Sequence, residues 1–139
     1  VSDYWGVDRR NEIVSWLQHP VILQHIHRRV SGDPAVSTYE YWRRRFFPAP
    51  ARRCLSLGCG FGAFERAMIQ IGMAASFEAH DISEGAIAQA RKDADAAGLG
   101  SVIDYRVTDL NDFTLKTASY DAIFAISSVH HVFEIEKFL

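Results

Sequence analysis

The feature that most constrains the fold is an apolar segment that leads directly into three closely spaced glycines. Residues 54–57 are suited to a buried β-strand, and Gly58, Gly60 and Gly62 follow it. Glycine adopts positive φ angles readily and has no Cβ, so the backbone of such a turn can approach a ligand closely. A strand, a glycine turn and a helix in this order predict a site for a nucleotide-like cofactor.

The rest of the chain after residue 53 alternates short apolar segments with helical segments. Strands are predicted at about 75–80, 102–108 and 122–126, and Ser83 is a suitable N-cap for the helix before the third strand. The alanines of that helix form a small-residue stripe, made up of Ala86, Ala90, Ala94 and Ala97. This order predicts an α/β fold with a doubly wound, Rossmann-like parallel sheet, whose ligands bind at the carboxyl ends of the strands.

The first 50 residues differ from the remainder in that all of their predicted elements are helices. Apolar residues recur at helical spacing around Ile13, Val14 and Leu17, and the pattern breaks near Pro20. We therefore expect two domains, an N-terminal helical extension over residues 1–50 and a cofactor-binding domain over residues 51–139. The arginine run 43–45 is interpreted as a solvated helix face in preference to a phosphate site.

Composition excludes several classes of partner. The net charge of −2 gives no general attraction to nucleic acid or to an anionic membrane. No apolar run reaches the roughly 20 residues that a membrane-spanning helix needs. The two cysteines, Cys54 and Cys59, lie in a strand and in the glycine turn, which argues against a disulfide framework and for the cytoplasm.

Two acidic residues follow predicted strands in phase with the glycine turn. Asp81 lies about 20 residues after Gly58, the spacing of an acid that binds ribose hydroxyls, and Asp109 ends the third strand. A P-loop is excluded because Ala63 follows Gly62 where lysine would be needed. A dinucleotide site stays possible on the glycines alone, since residues 58–63 also fit G-x-G-x-x-A.

Four segments taken together resemble one known family. Residues 55–62 and 80–83, followed by 109–110 and 120–132, resemble in order the first four motifs of the class I S-adenosylmethionine-dependent methyltransferases. The family fold has seven strands, of which this chain would supply the first four, with strand four as an apolar edge. We therefore expect the protein to continue past Leu139 and to be able to form homo-oligomers through that edge.

The resemblance also implies roles for individual residues. S-adenosylmethionine would be the cofactor, with its methionine end held by the glycine turn, where Cys59 serves only as a small residue. The implied contacts are Gly58, Cys59 and Gly60 with the methionine end, Asp81 with ribose, Ile82 with adenine, Asp109 and Leu110 with the adenine amine and ring, and Ile126 with the sulfonium.

A base is needed only if the methyl acceptor must lose a proton. His130 and His131 follow the fourth strand, and imidazole is suited to accept a proton near neutral pH. Of the two, His131 is the candidate catalytic residue, although the pair could simply shape the pocket. No metal is predicted, because the remaining histidines form no convincing ligand set.

The sequence thus predicts a methyltransferase that acts on a small-molecule acceptor. Two alternatives stay open at this point. One is an NAD(P)-dependent oxidoreductase, which residues 127–131 disfavour because they offer no recognisable arrangement for hydride transfer. The other is a non-catalytic module that keeps the cofactor fold as a scaffold or as a partner for another chain.

Overall fold

The computed structural model describes residues 19–115, 118–133 and 136. Ala49 and Pro50 belong to different compact units, so the helices before this point and the sheet after it are described separately. The helix predicted around Ile13, Val14 and Leu17 lies outside the described residues.

The unit that ends at Ala49 contains helices α1 (Pro20–Ser31) and α2 (Thr38–Phe46). Pro20 opens α1, where its fixed φ suits the first turn, and Gly32 ends it in the left-handed conformation at φ 85°. The arginine run lies on α2, where Arg43 and Arg44 both pair with Glu40 at 3.3 Å and 2.7 Å. These pairs favour the interpretation of the run as a solvated helix face.

The second unit contains one sheet and the helices that connect its first strands. Its elements in chain order are β1 (Cys54–Leu57), α3 (Ala63–Gln70), β2 (Phe77–Asp81), α4 (Glu84–Ala96), β3 (Ile103–Val107), β4 (Ala122–Phe124) and a 3₁₀ helix (Val129–His131). The four strands are parallel and lie in the order β3-β2-β1-β4. The predicted α/β fold is confirmed, and the chain reverses its winding direction between β1 and β4.

Helices α3 and α4 cover one face of this sheet. Phe64 of α3 packs against Phe77 and Phe124, with ring centroids 6.3 Å and 5.2 Å apart. The small-residue stripe of α4 is buried at Ala86, Ala90 and Ala94, which allows the helix to lie close to the strands. Ala97 is exposed, contrary to the prediction, because it is the C-cap residue at the point where the helix ends.

The opposite face carries a smaller apolar cluster. Leu55 and Leu57 of β1 are buried there with Leu110 from the segment after β3. Phe113 and Tyr120 pack against this cluster, so the segments that follow β3 lie over the carboxyl half of β1.

Strand β4 is shorter than predicted and lies at an edge of the described sheet, as expected. It ends at Phe124 instead of Ile126, it pairs with β1 alone within the described part of the chain, and Ile123 is 50% exposed. The strand ends early because Ser127 adopts a left-handed φ of 54° and the Ser128 hydroxyl donates to the carbonyl of Leu57. This bond draws the chain across the end of β1 instead of letting it extend.

No helix in the described ranges is both long enough and apolar enough to cross a bilayer.

Candidate cofactor site

The glycine turn is held by the end of β2. The backbone N–H groups of Gly58 and Cys59 both donate to the carbonyl of His80, at 2.8 Å and 3.0 Å. The N–H of Gly60 donates to Oδ2 of Asp81 at 2.8 Å. Asp81 Oδ1 accepts from the N–H of Ser83 at 2.9 Å, so each carboxylate oxygen has one backbone donor and keeps a further lone pair for a ligand.

All three glycines of the turn have positive φ, but they differ in what occupies the space where a Cβ would lie. A Cβ on Gly58 would overlap the side chain of Ser128, and a Cβ on Gly62 would overlap the hydroxyl of Tyr105. A Cβ on Gly60, where φ is 53°, would meet no atom within 4 Å. The open side of the turn therefore lies at Gly60, while the other two positions admit protein side chains.

Ser128 joins the segment after β4 to the end of β1. It is buried, its hydroxyl donates to the Leu57 carbonyl, and its side chain fills the space beside Gly58. Ile126, two residues earlier, is 38% exposed. The site thus lies at the switch point of the sheet, between β1 and β4, where ligands of such folds bind.

The floor of the turn contains a buried carboxyl group. Glu65 in the first turn of α3 is fully buried, and one of its oxygens, Oε1, accepts from the Ser56 hydroxyl. The other oxygen, Oε2, has no hydrogen-bond partner within the described ranges. Burial raises the pKa of Glu65 above its ordinary value of 4.5, against the opposing effect of the Ser56 hydrogen bond.

Tyr105 of β3 supports the same turn from below. Its hydroxyl donates to the carbonyl of Gly62 at 3.1 Å, and its ring is buried. This bond fixes Gly62, the N-cap residue of α3. The first N–H groups of α3, which have no partner within the helix, therefore lie next to the turn.

Cys59 has no nucleophilic character in this environment. Burial, followed by the nearby carboxylates of Glu65 and Asp81, raises the pKa of its thiol far above the usual range. The thiol therefore stays protonated, as expected of a small residue that simply fits the turn.

The segment after β3 places a second carboxylate beside the carboxyl end of β2. The N–H of Thr108 donates to the carbonyl of Asp81 at 2.9 Å. Asp109 follows, and its Oδ1 accepts from the N–H and the side-chain amide of Asn111 at 2.9 Å and 2.8 Å. These bonds lower the pKa of the Asp109 carboxyl, so the group is ionised and has a fixed orientation.

The apolar candidates of the site differ in exposure. Ile82 is 44% exposed directly after Asp81, which leaves its side chain available to a flat ring. Leu110 is 9% exposed and packs into the core with Leu55 and Leu57. Its main effect in this structure is to anchor the segment that carries Asp109.

The two histidines after β4 lie side by side in the 3₁₀ helix. The rings of His130 and His131 are exposed, with centroids 4.0 Å apart and planes tilted by 40°. Both are therefore available to a small molecule from solvent. The ranges that the structure describes contain no group of three or more side chains that could hold a metal ion.

Sequence reasoning missed the residues that shape the turn from a distance. Ser128, Tyr105 and Thr108 are separated from the glycines along the chain, and no local pattern predicts the contacts that they make. The one available signal was the pair Gly58 and Gly62, since a glycine in a turn can mark the close approach of another side chain as well as of a ligand.

Comparison with known proteins decides the family. The family model described as "Methyltransferase domain" matches residues 55–139, which include the whole glycine turn and every candidate site residue. The chain belongs to the class I S-adenosylmethionine-dependent methyltransferases. S-adenosylmethionine is the cofactor of this family, so the predicted family and cofactor are confirmed.

Curated relatives of this methyltransferase domain include two ubiquinone biosynthesis O-methyltransferases. The protein from Methylocella silvestris is 30% identical over an alignment of 146 positions, which covers 99% of this chain and 52% of the relative. The protein from Dinoroseobacter shibae is 31% identical over 118 residues, which cover 84% of this chain and 43% of the relative. The chain thus spans about half the length of the curated relatives it matches.

A solved structure of a methyltransferase has the same fold. The S-adenosylmethionine-dependent methyltransferase from Mesorhizobium loti is 30% identical, with a TM-score of 0.57, over 71% of this chain and 44% of that one. The nicotinamide-dependent alternative receives no support from the family match. The roles of the individual site residues stay predictions.

Proposed function

We propose that the protein transfers a methyl group from S-adenosylmethionine to a hydroxyl oxygen of a small molecule. The observation that carries the cofactor part of the proposal is the Asp81 carboxylate, which lies at the carboxyl end of β2 and accepts from the N–H of Gly60 at 2.8 Å. The same carboxylate thus holds the one glycine of the turn that faces open space, and it keeps lone pairs for two ribose hydroxyls.

The residues present fit the cofactor. The space beside Gly60 is suited to the methionine end, the exposed side chain of Ile82 to one face of adenine, and the ionised Asp109 to the adenine amine. Gly58 and Cys59 contribute backbone groups next to the methionine end. Leu110 contributes an edge of its side chain beside adenine, and Ile126 contributes an exposed surface near the sulfonium.

Bound S-adenosylmethionine supplies a methyl group that is already activated on a sulfonium. The protein's contribution is therefore to hold two reactants in line and to exclude water, and such orientation can lower a barrier by roughly 7–11 kcal/mol. An oxygen acceptor must also lose its proton. We assign the proton to the exposed ring of His131, which lies just beyond the segment that carries Ile126.

An oxygen acceptor is favoured by the curated relatives, whose names describe O-methyltransferases. We propose further that the protein acts in the cytoplasm without a nucleic-acid or membrane partner, which agrees with a net charge of −2. Homo-oligomers through the edge of β4 are a further proposal, supported by the half-exposed Ile123.

Isothermal titration calorimetry of the full-length protein tests the proposal. We expect S-adenosylhomocysteine to bind and NADH not to bind, and Asp81→Ala to abolish binding. Asp104→Ala is the matched control, because Asp104 is an exposed carboxylate on β3 that pairs with Arg106. Binding of NADH alone would support the oxidoreductase, and binding of neither ligand would support the non-catalytic module.

A further inference from the structure

A chain of buried polar groups links β2 to the segment that carries Asp109. Glu78 and His80 both lie on β2 with their side chains buried. His80 Nε2 lies 3.2 Å from Oε1 of Glu78, and His80 Nδ1 lies 2.8 Å from Oγ1 of Thr108. Thr108 is the residue directly before Asp109, so this chain of contacts ends beside the residue that is predicted to bind adenine.

The charge on Glu78 determines the direction of these hydrogen bonds. The guanidinium groups of Arg53 and Arg106 donate to its carboxylate at 2.8 Å and 3.1 Å. These partners and His80 outweigh burial and lower the pKa of Glu78, so the group is ionised. An ionised carboxylate only accepts, so Nε2 of His80 carries the proton and Nδ1 accepts from the Thr108 hydroxyl.

The imidazole is itself held in place. Burial lowers the pKa of His80, which keeps the ring neutral with one proton near neutral pH. The Phe113 ring packs edge-on against it, with centroids 4.6 Å apart. His80 therefore presents a fixed acceptor to Thr108.

Thr108 is consequently fixed at both its backbone and its side chain. Its N–H donates to the carbonyl of Asp81 at 2.9 Å, and its hydroxyl donates to His80. The next residue, Asp109, is fixed on its other side by the two donors of Asn111. The position of the Asp109 carboxylate relative to Asp81 thus depends on Thr108, a residue to which no ligand contact is assigned.

We propose that Thr108, held by His80, is a positioning residue that sets the preference of the site for a 6-aminopurine over a 6-oxopurine. The hydroxyl-to-imidazole bond holds the Asp109 carboxylate where it accepts from the exocyclic amine of the base. A 6-oxo group in that place offers no donor and faces the carboxylate with an acceptor. This inference rests on the proposed function, because it takes the contact between Asp109 and the base as given.

The test compares two ligands on variants of the full-length protein by calorimetry. The ligands are S-adenosylhomocysteine and S-inosylhomocysteine, which differ only in the purine. We expect the wild type to bind the adenosyl ligand about tenfold or more tightly, the discrimination that one hydrogen bond to a charged group supports. Asp109→Asn should lose this discrimination.

Thr108→Val removes the hydroxyl and keeps the shape of the side chain. We expect this variant to bring the ratio of the affinities for S-adenosylhomocysteine and S-inosylhomocysteine most of the way to one. Thr108→Ser, which retains the hydroxyl, should keep the wild-type ratio. The matched control is Thr114→Val, at an exposed threonine further along the same segment. Thr108→Ala removes the same hydroxyl and replaces the Val variant if that variant does not fold.

The outcomes separate this inference from the function on which it rests. A Thr108→Val ratio equal to that of the wild type, with the ratio lost in Asp109→Asn, overturns the positioning role and leaves the proposed function standing. A wild type that binds both ligands equally also overturns the positioning role. A wild type that binds neither ligand overturns the proposed function as well. A merely structural role would weaken both ligands together and leave the ratio unchanged.

Discussion

Gly58 and Ser128 occupy adjoining space so closely that a Cβ on Gly58 would overlap the Ser128 Cβ and lie 3.0 Å from its Oγ. The end of the strand that leads into the glycine turn is therefore closed by a side chain from the segment after its neighbouring strand, β4. Shape complementarity of this kind joins the two halves of the switch point, β1 and β4.

Replacement of Gly58 by Ala should destabilise the protein for two reasons. A residue with a side chain is strained at the φ of 74° that Gly58 adopts, and the new Cβ would overlap Ser128. We expect a loss of about 3 kcal/mol in the free energy of unfolding, from the sum of left-handed strain and overpacking. Chemical denaturation measures it. Ser128→Gly in the Gly58→Ala background should recover the overpacking part, whereas Ser128→Ala, which keeps the Cβ, should not. Equal recovery by both would contradict the overlap.

Gly60→Ala should affect ligand binding much more than stability. Its Cβ would meet no protein atom, so the cost to folding is the strain of a left-handed residue, about 1–2 kcal/mol. The same Cβ would occupy the space assigned to the methionine end. Calorimetry should therefore show a large loss of affinity for S-adenosylhomocysteine.

Gly72→Ala is the matched control for this change, since Gly72 has φ 72° and also meets nothing within 4 Å. It should cost similar stability and leave the affinity unchanged. Equal affinity losses in the two variants would show that the effect of Gly60→Ala is one of folding alone.

Glu65→Gln should be more stable than the wild type, and the difference in the free energy of unfolding should grow as the pH rises. Burial raises the pKa of Glu65 in the folded state, so the folded state binds the proton more tightly than the unfolded state does. The wild type therefore loses stability as the pH rises above about 4.5, by about 1.4 kcal/mol per pH unit until the folded pKa is reached. The glutamine variant lacks this loss.

Thermal unfolding at several pH values measures the difference between the two proteins. The difference should be smallest below about pH 4.5 and grow as the pH rises, until the pKa of Glu65 in the folded state is reached. Glu84→Gln, at an exposed glutamate in the first turn of α4, is the control. A difference that does not change with pH would mean that Glu65 does not titrate in the folded state as described.

His131→Ala should reduce kcat with an oxygen acceptor by about 10²–10⁴-fold, the usual value of a general base. Affinity for S-adenosylhomocysteine should not change. His130→Phe keeps a ring beside His131, at the position where the two centroids are 4.0 Å apart, and should have a much smaller effect. Comparable losses in both variants would assign the pair to pocket shape instead of proton transfer.

The sequence was sufficient for the fold because its signals are local. The apolar run before Gly58 and the N-cap at Ser83 each depend on a few neighbouring residues, and the structure has both where they were predicted. Strand β2 begins at Phe77, two residues later than predicted, and β3 ends at Val107, before Thr108 and Asp109. Strand β4 was predicted too long, because its end is set by the bond from Ser128 to Leu57. Hydrophobic periodicity carries no information about such a contact.

The candidate site was predictable to a smaller degree. The N–H of Gly60 bonds to the Asp81 carboxylate, and the N–H of Thr108, the residue before Asp109, bonds to the Asp81 carbonyl. The supports of the site, such as Thr108 and Tyr105, act through tertiary contacts and have no signature in a single sequence. Burial of Glu65 was equally hidden, since a glutamate in the first turn of a helix is ordinarily exposed and favourable there.

The bond between Ser128 and Leu57 spans 71 residues of chain. On the ribosome, the glycine motif is therefore made well before the side chain that completes its shape. A nascent chain that has reached only β3 carries every glycine of the motif without the wall that closes it. Biosynthesis thus delivers the glycine motif before the side chain that packs against it.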